Sequence, residues 1–346
     1  MYGWLRKGLF MLPPEAAHEV ALKSLCAGRL VGLPRLMAGR PPARPVSLMG
    51  LEFPNPVGLA AGLDKNGDYI DALGGLGFGF IEVGTVTPKP QAGNARPRMF
   101  RLPEHQAIIN RLGFNNKGVD HLVANLARRR FKGIVGANIG KQKETPVDEA
   151  PGDYSHCLKR VYPHCDYVTI NVSSPNTANL RELQDTGPLR ELLTELVAIR
   201  NRLAAEHGRQ RPLLVKIAPD WNAQALSASL RVIAESGIDG LLATNTTVDR
   251  SAISGHAHAT EVGGLSGAPL KAMADQVLVA ARRTLGPDFP IIGVGGIMQA
   301  QDAVDKQQAG ADLVQIYTGF VYRGPALVGQ CAKAWSKPAK SRAETA

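Results

Sequence analysis

The sequence predicts a (β/α)8 barrel preceded by a small helical extension, and three observations carry that prediction. Eight short apolar segments recur over about 290 residues, amphipathic helical patterns lie between several of them, and most of the segments end in glycine or a polar residue. With 346 residues, the chain is long enough for one such barrel or for two ordinary domains.

Residues 1–45 fall outside the repeating pattern. Pro13-Pro14 separates two short helical stretches, one carrying Trp4, Leu5, Leu9 and Phe10 and the other Ala17, Val20, Ala21 and Leu25. "GRPPARP" (39–45) follows as a stiff linker. Seven basic and two acidic residues here hold half of the formal net charge of +10. Amphipathicity alone leaves two readings open: a hairpin lying on a membrane surface, or a helical cap on the bottom of the barrel.

The candidate strands are "NPVGLAAG" (55–62), "GFIEVGT" (79–85), "GIVGANIG" (133–140), "YVTINVSS" (167–174), "LLVKIA" (213–218), "GLLATN" (240–245), "PIIGVGG" (290–296) and "LVQIYT" (313–318). Near-continuous apolar runs of this length suit a parallel sheet covered on both faces. Helices are expected over 189–208, 223–237 and 273–286, each with an apolar stripe and a glycine at or just past its end. "RRRFK" (128–132) is read as a solvated helix end, where cations favour the dipole, rather than as an RNA contact. These elements form a barrel domain over 46–336, and 337–346 is a basic tail. A doubly wound sheet is disfavoured, because "GGLGFGF" and "GVGGIM" miss the dinucleotide spacing and "GANIGK" lacks both the first glycine and the Ser/Thr of a phosphate loop.

Composition narrows the function. No apolar run approaches a membrane span, and "GLFML" is too short for the core of a signal peptide. The four cysteines are scattered, which argues against zinc, an iron–sulfur cluster or a disulfide framework and fits a reducing cytosol.

In such barrels the site is built at the strand tips. Here the tips carry Lys65, Thr85, Asn138, Asn171 with Ser174 and Asn176, Lys216, Thr244-Asn245-Thr246, Gly295-Gly296 and Tyr317-Thr318, with Asp64 as the one carboxylate. No His or Cys stands among them to activate a serine, and ligands for a catalytic metal are missing. The set suits a planar, amide-bearing ligand with negative charge. Ser-Pro-Asn alone is a good turn. A lysine at 216 inside an apolar strand is different, because its charge needs a partner. Glycines after the seventh and eighth strands could be plain turns or the usual phosphate cradle, and one cradle without a dinucleotide fingerprint favours a monophosphate cofactor.

Taken in order, "GLAAGLDKNG", "IEVGTVTPKPQ", "INRLGFNN", "GANIGK", "INVSSPNT", "VKIAPD", "GLLATNTT", "GGLSG", "PIIGVGGI" and "GADLVQIYTGFVY" resemble the dihydroorotate dehydrogenases, in their quinone-linked, membrane-associated class. The resemblance runs from the amino-terminal hairpin to about residue 325. It implies oxidation of dihydroorotate to orotate in pyrimidine synthesis, with FMN as hydride acceptor and a membrane quinone as final acceptor. It implies FMN contacts at Ala61, Gly62, Leu63, Asp64, Lys65, Thr85, Asn138, Asn171, Lys216, Thr244, Gly267, Gly296, Tyr317 and Thr318. Substrate contacts fall on Lys65, Asn110, Arg111, Leu112, Gly113, Phe114, Asn171, Asn176, Asn245 and Thr246, with Ser174 as the base. Serine is a poor base in water, so a closed, dry pocket with a proton exit is expected, with Phe114 and Thr177 beside that exit.

Soluble relatives use a cysteine base and lack residues 1–45, so the quinone class is implied, with His18, Arg101 and Tyr317 at the quinone. A monomer at the cytoplasmic face of the cell membrane, touching anionic lipid but no nucleic acid, is expected, with no metal. Two rivals remain to be weighed. A tRNA-reducing flavin barrel would need a catalytic cysteine and an RNA-binding domain. A basic, non-catalytic scaffold would leave Lys216 and the amide-lined tips unexplained.

Overall fold

The computed structural model describes residues 2–39 and 41–335; the expected basic tail, 337–346, lies outside them. The chain opens with α1 (Tyr2–Phe10), α2 (Pro14–Gly28) and α3 (Leu33–Ala38), followed by β1 (Val46–Leu48) and β2 (Leu51–Phe53). Next come β3 (Val57–Leu59), α4 (Ile70–Gly74), β4 (Phe80–Val86), β5 (Met99–Leu102), β6 (Ala107–Asn110), α5 (Val119–Arg128), β7 (Ile134–Ile139), α6 (Ala150–Val161), β8 (Tyr167–Asn171) and α7 (Thr186–His207). The rest is β9 (Leu213–Ile217), α8 (Ala223–Glu235), β10 (Gly240–Ala243), β11 (Gly264–Gly267), α9 (Lys271–Leu285), β12 (Ile291–Val294), α10 (Ala300–Gln308), β13 (Leu313–Ile316), α11 (Thr318–Arg323) and α12 (Ala326–Ala334).

Eight strands close into a parallel barrel in the order β3-β4-β7-β8-β9-β10-β12-β13, with β13 returning to β3. They are the eight apolar segments read from the sequence, buried along nearly their whole length because helices cover the outside. Helix α7 places Leu189, Leu192, Leu193, Leu196, Ile199 and Leu203 in the core, as its spacing required.

Two features depart from expectation. The barrel's bottom is closed by the β1–β2 hairpin rather than by the helices. Leu51 and Phe53 pack with Phe80, Tyr167, Leu214 and Leu313, residues at or near the starts of barrel strands. A Met49-Gly50 turn with positive φ at both positions joins the pair. Second, β5, β6 and β11 form a small antiparallel sheet over the strand tips, which brings Asn110 and Gly267 to opposite ends of the β6–β11 ladder. As expected, "RRRFK" marks the end of α5. The helix ends at Arg128, Arg128 and Arg130 are exposed, and Arg129 donates to the Leu126 carbonyl of the last turn and to the His164 carbonyl beside Asp166.

The helices α1 and α2 sit at the tip end. Glu15, in the first turn of α2, takes two bonds of 3.0 Å from the Arg98 guanidinium and pairs with Arg96 at 3.1 Å. Tyr2 Oη and Arg6 donate to the carbonyls of Val321 and Tyr322, and Phe10 meets the Tyr322 ring edge-on. The outer side of the segment from α1 to α3 stays uncovered: Trp4, Leu5, Met11, Leu12, Val20, Leu30, Val31 and Leu36 are eight of the eleven large exposed apolar side chains among the described residues. No helix among those residues is long and apolar enough to cross a membrane.

Candidate active site

The strand tips converge on one cavity. Its wall includes Ala61, Gly62, Lys65, Thr85, Asn110, Leu112, Gly113, Phe114, Asn171, Ser174, Asn176, Lys216, Thr244, Asn245, Thr246, Gly267, Gly296, Tyr317 and Thr318. Two lysines are the charged residues on this wall, and no carboxylate, histidine or cysteine is on it. That charge balance suits an anionic ligand. Among the described residues, no cluster of acidic, histidine and cysteine side chains could hold a metal.

The strand β8 explains the change of character at its end. Tyr167 to Asn171 are buried, and the chain then turns at "SSPN", which the cavity needs as a polar rim. Ser174 is buried, and its Oγ accepts the Asn176 backbone N–H at 3.2 Å, which holds the hydroxyl in place. Arg181 donates to the carbonyls of Ser173 and Thr246 and pairs with Asp220 at 2.9 Å, tying the serine loop to the loop after β10.

Lys216 is buried and has no hydrogen-bond partner among the described residues. Burial pulls its pKa down, and the Glu82 carboxylate works in the opposite direction. Glu82 is the residue that sequence reading missed. It stands in the middle of β4 with no exposed surface, and it accepts bonds from Asn138, Tyr167, Thr169 and Gln315 at 2.7 to 3.2 Å. A carboxylate inside "GFIEVGT" was as visible as the lysine inside "LLVKIA", and the same charge argument applies to both.

Lys65 is half-buried and donates to the Gly62 carbonyl at 3.0 Å. Burial, helped by the Arg98 charge, lowers its pKa to about 8. Gly296 has φ of 78°, and a Cβ there would lie 2.4 Å from Lys271 Cα, so only glycine lets the chain pass so close to the start of α9.

Some of the residues expected in the site stand elsewhere. Asn138 is fully buried one layer below the cavity, between Glu82 and Thr85. Asp64 turns away and accepts the N–H groups of Asp68 and Tyr69, bracing its own loop; burial lifts its pKa to about 6. Leu63 packs in the core. Arg111 pairs with Glu261 and lies 4.8 Å over the Phe100 ring, pointing away from the cavity.

A second cavity adjoins the first and shares Lys65, Leu112 and Tyr317 with it. Glu15, His18, Glu19, Leu22 and Lys23 of α2 form its other wall, and Leu63, Asp64 and Met99 line it as well. Burial and the nearby Lys65 charge depress His18 to about 4, so its imidazole is neutral at physiological pH. Arg101 does not reach this wall. Its guanidinium caps the carbonyls of Leu9, Phe10 and Leu12 and stacks 4.5 Å over Phe10, fastening the α1–α2 turn.

The cavity's polar groups fit a flavin. Lys216 makes no hydrogen bond among the described residues, the Asn176 and Gln315 side-chain oxygens are buried, unpaired acceptors, and glycine backbone at Gly267, Gly295 and Gly296 closes one end. Comparison with known proteins agrees. The family profile described as dihydroorotate dehydrogenase matches residues 45–336. A Marinobacter nauticus protein named dihydroorotate dehydrogenase (quinone) is 54% identical over 97% of this chain and 99% of its own length. A Xanthomonas campestris protein of the same name is 55% identical over 96% of this chain and 95% of its own. Among solved structures, the ferulenol complex of the Eimeria tenella enzyme superposes with a TM-score of 0.85 at 38% identity, covering 93% of this chain and 90% of that one. This chain belongs to the dihydroorotate dehydrogenase family, which is flavin-dependent.

Proposed function

We propose that this chain oxidises dihydroorotate to orotate in pyrimidine biosynthesis, holding FMN in the first cavity and passing electrons to a membrane quinone through the second. The observation that carries this is a carboxylate-free cavity that joins two lysines, several asparagines and a buried serine hydroxyl. The Ala61-Gly62 turn, Thr85, Asn171, Lys216, Thr244, Gly267, Gly296, Tyr317 and Thr318 would hold the cofactor, with Asn138 supporting Thr85 and Asn171 from below. Bound flavin supplies the hydride acceptor.

Around it the chain's own residues do the rest. Asn110, Asn171, Asn176 and Asn245 bind the amides of the pyrimidine, Leu112 to Phe114 and Thr246 enclose it, and the Lys65 cation meets its carboxylate. Ser174 Oγ takes the proton from the ring carbon next to the one that loses hydride. Serine is a weak base in water, so the reaction needs the dry enclosure that burial provides. Thr177 Oγ1 is buried and unpaired, and Phe114 is on the cavity wall; these we assign to the proton's way out.

The domain division follows the same lines, with residues 1–45 as the membrane and quinone module and 46–336 as the catalytic barrel. The exposed apolar side chains of α1 to α3 suit a peripheral seat at the cytoplasmic face of the membrane, where each buried one contributes on the order of 1.5–3 kcal/mol. A monomer with no nucleic-acid partner completes the proposal.

Anaerobic titration of the purified protein with dihydroorotate should bleach a flavin band, and a quinone analogue should restore it. A colourless protein that takes up no FMN sinks the proposal.

Lys65 adds a pH prediction. Its cation is present below pH 8 and lost above it, so dihydroorotate binding weakens as pH rises, by up to about tenfold per unit beyond the midpoint. Lys65→Met should bind weakly at every pH and flatten that dependence. A KM unchanged between pH 7 and pH 9.5 in the native protein would remove Lys65 from the substrate.

A further inference from the structure

Between β4 and β5 the chain runs through "QAGN" (91–94), a stretch that adds nothing to the cavity wall yet holds two parts of it. Gln91 Nε2 donates to the carbonyls of Gly113 and Phe114 at 3.0 and 3.1 Å, and the Asn94 N–H donates to that of Leu112 at 3.1 Å. Asn94 Nδ2 donates to the Arg111 carbonyl at 3.0 Å. Four successive carbonyls, 111 to 114, therefore accept from Gln91 and Asn94.

The same Asn94 nitrogen gives a second bond, 3.1 Å long, to the Asn176 carbonyl. Asn176 is the residue whose backbone N–H reaches Ser174 Oγ at 3.2 Å. One amide thus joins the loop that carries the serine to the segment 111–114. Its sense is fixed by its neighbours: both are backbone carbonyls, which accept and never donate, so only the –NH2 end can lie between them. Room is kept for it, because Gly113 has φ of 69° and a Cβ there would lie 2.8 Å from Asn94 Cγ and Nδ2. The buried Arg98 guanidinium fixes the Asn94 main chain, donating to its carbonyl at 2.9 Å.

The serine loop is fastened separately at its start. Arg181 donates to the Ser173 carbonyl, and the Asn171 oxygen accepts the Ser173 N–H at 3.2 Å. Ser174 lies between that anchor and Asn176. Asn176 Nδ2 also donates to Asn110 Oδ1 at 3.2 Å, but both of these side chains line the cavity and are assigned above to the pyrimidine. Asn94 does not line it, so its bond is not one that substrate competes for.

We infer that Asn94 is a positioning residue for the proton-transfer step: its side-chain amide holds Asn176, and through Asn176 the Ser174 hydroxyl, against the anchored segment 111–114. The inference rests on the dihydroorotate oxidation, with Ser174 as base, proposed above.

The test is a double-mutant cycle on the FMN-loaded protein. It reads the limiting rate of flavin reduction at saturating dihydroorotate by anaerobic rapid mixing, with thermal melting and FMN content as checks on folding. Asn94→Ala is expected to be yellow and folded, because Asn94 is half-buried and stands outside the hydrophobic core. Its limiting rate should fall about ten- to a hundredfold, the cost of a small misplacement of a reacting group. The half-saturating dihydroorotate concentration should move less than the rate, since Gln91 and the Asn94 N–H still hold segment 111–114. In the Ser174→Ala background the same change should slow reduction by no more than about twofold, because the group it positions is already gone.

A merely structural role would slow reduction by the same factor in both backgrounds. Equal slowing in both, a limiting rate for Asn94→Ala within about twofold of native, or a loss confined to the half-saturating concentration overturns the inference. If Asn94→Ala does not fold, Asn94→Asp keeps the size and sets an acceptor against the two carbonyls; the same rates in the same two backgrounds decide the matter. Native flavin that dihydroorotate does not reduce overturns the proposed function itself, and this inference with it. Native flavin that is reduced, with Ser174→Ala equally fast, removes the serine and this inference but leaves the oxidation standing.

Discussion

With Ser174 replaced by alanine, the protein should remain yellow and folded while dihydroorotate reduces its flavin about 10²–10⁴-fold more slowly. The expectation comes from what else the cavity wall offers. It holds no carboxylate, histidine or cysteine, and burial pulls down the pKa of both its lysines, that of Lys65 to about 8. Of the buried hydroxyls on that wall, Thr85, Thr244 and Thr318 donate to Asn138, the Asn245 carbonyl and Ser266, whereas Ser174 Oγ accepts the Asn176 N–H. Removing one oxygen atom leaves the flavin contacts proposed for Lys216, Thr244 and Gly296 untouched, so cofactor content should not change. Rapid-mixing absorbance separates the two steps, because it follows the first half-reaction without quinone. Reduction of Ser174→Ala at close to the native rate would falsify the role assigned to this hydroxyl.

Removal of residues 1–40 should have the opposite signature. Dihydroorotate should still bleach the flavin, while transfer to a long-chain quinone should fall to background. The second cavity loses one wall, Glu15, His18, Glu19, Leu22 and Lys23, and keeps Tyr317 and Lys65 on the other. The barrel closes without those helices, since β1 and β2 seal its bottom and β13 pairs with β3. The deletion does remove Glu15 from the buried Arg98, so some loss of stability is expected alongside. A milder variant, His18→Ala, keeps that ion pair and should raise the KM for quinone with little change in flavin reduction. Undiminished quinone turnover by the shortened protein would dismiss the second cavity as the electron exit.

Much of this was written in the order of residues. The eight strands, α7 to α9 and the Pro13-Pro14 break between two helices follow from local pattern, because a parallel barrel buries each strand on both faces and demands an apolar run. Lys216 stood out for the same reason: a charge in such a run has to serve something. What pattern could not supply was partnership across the chain. The sheet β5–β6–β11 pairs segments more than 150 residues apart, and three-residue strands such as β1 are too short to show a period. Arg101 and Arg111 carry the right charge in the right motifs, yet one fastens the α1–α2 turn and the other pairs with Glu261.

The primary structure by itself determined the barrel, the polar strand tips and the family, since each is a matter of residue type at a given spacing. Tertiary structure decided that Glu82 stands under the asparagines, that β1–β2 and not the helices closes the bottom, and that His18 shares a wall with Tyr317. Those outcomes depend on hydrogen-bond direction and on contacts between distant segments. Such contacts arise only when the chain closes on itself and water is driven out.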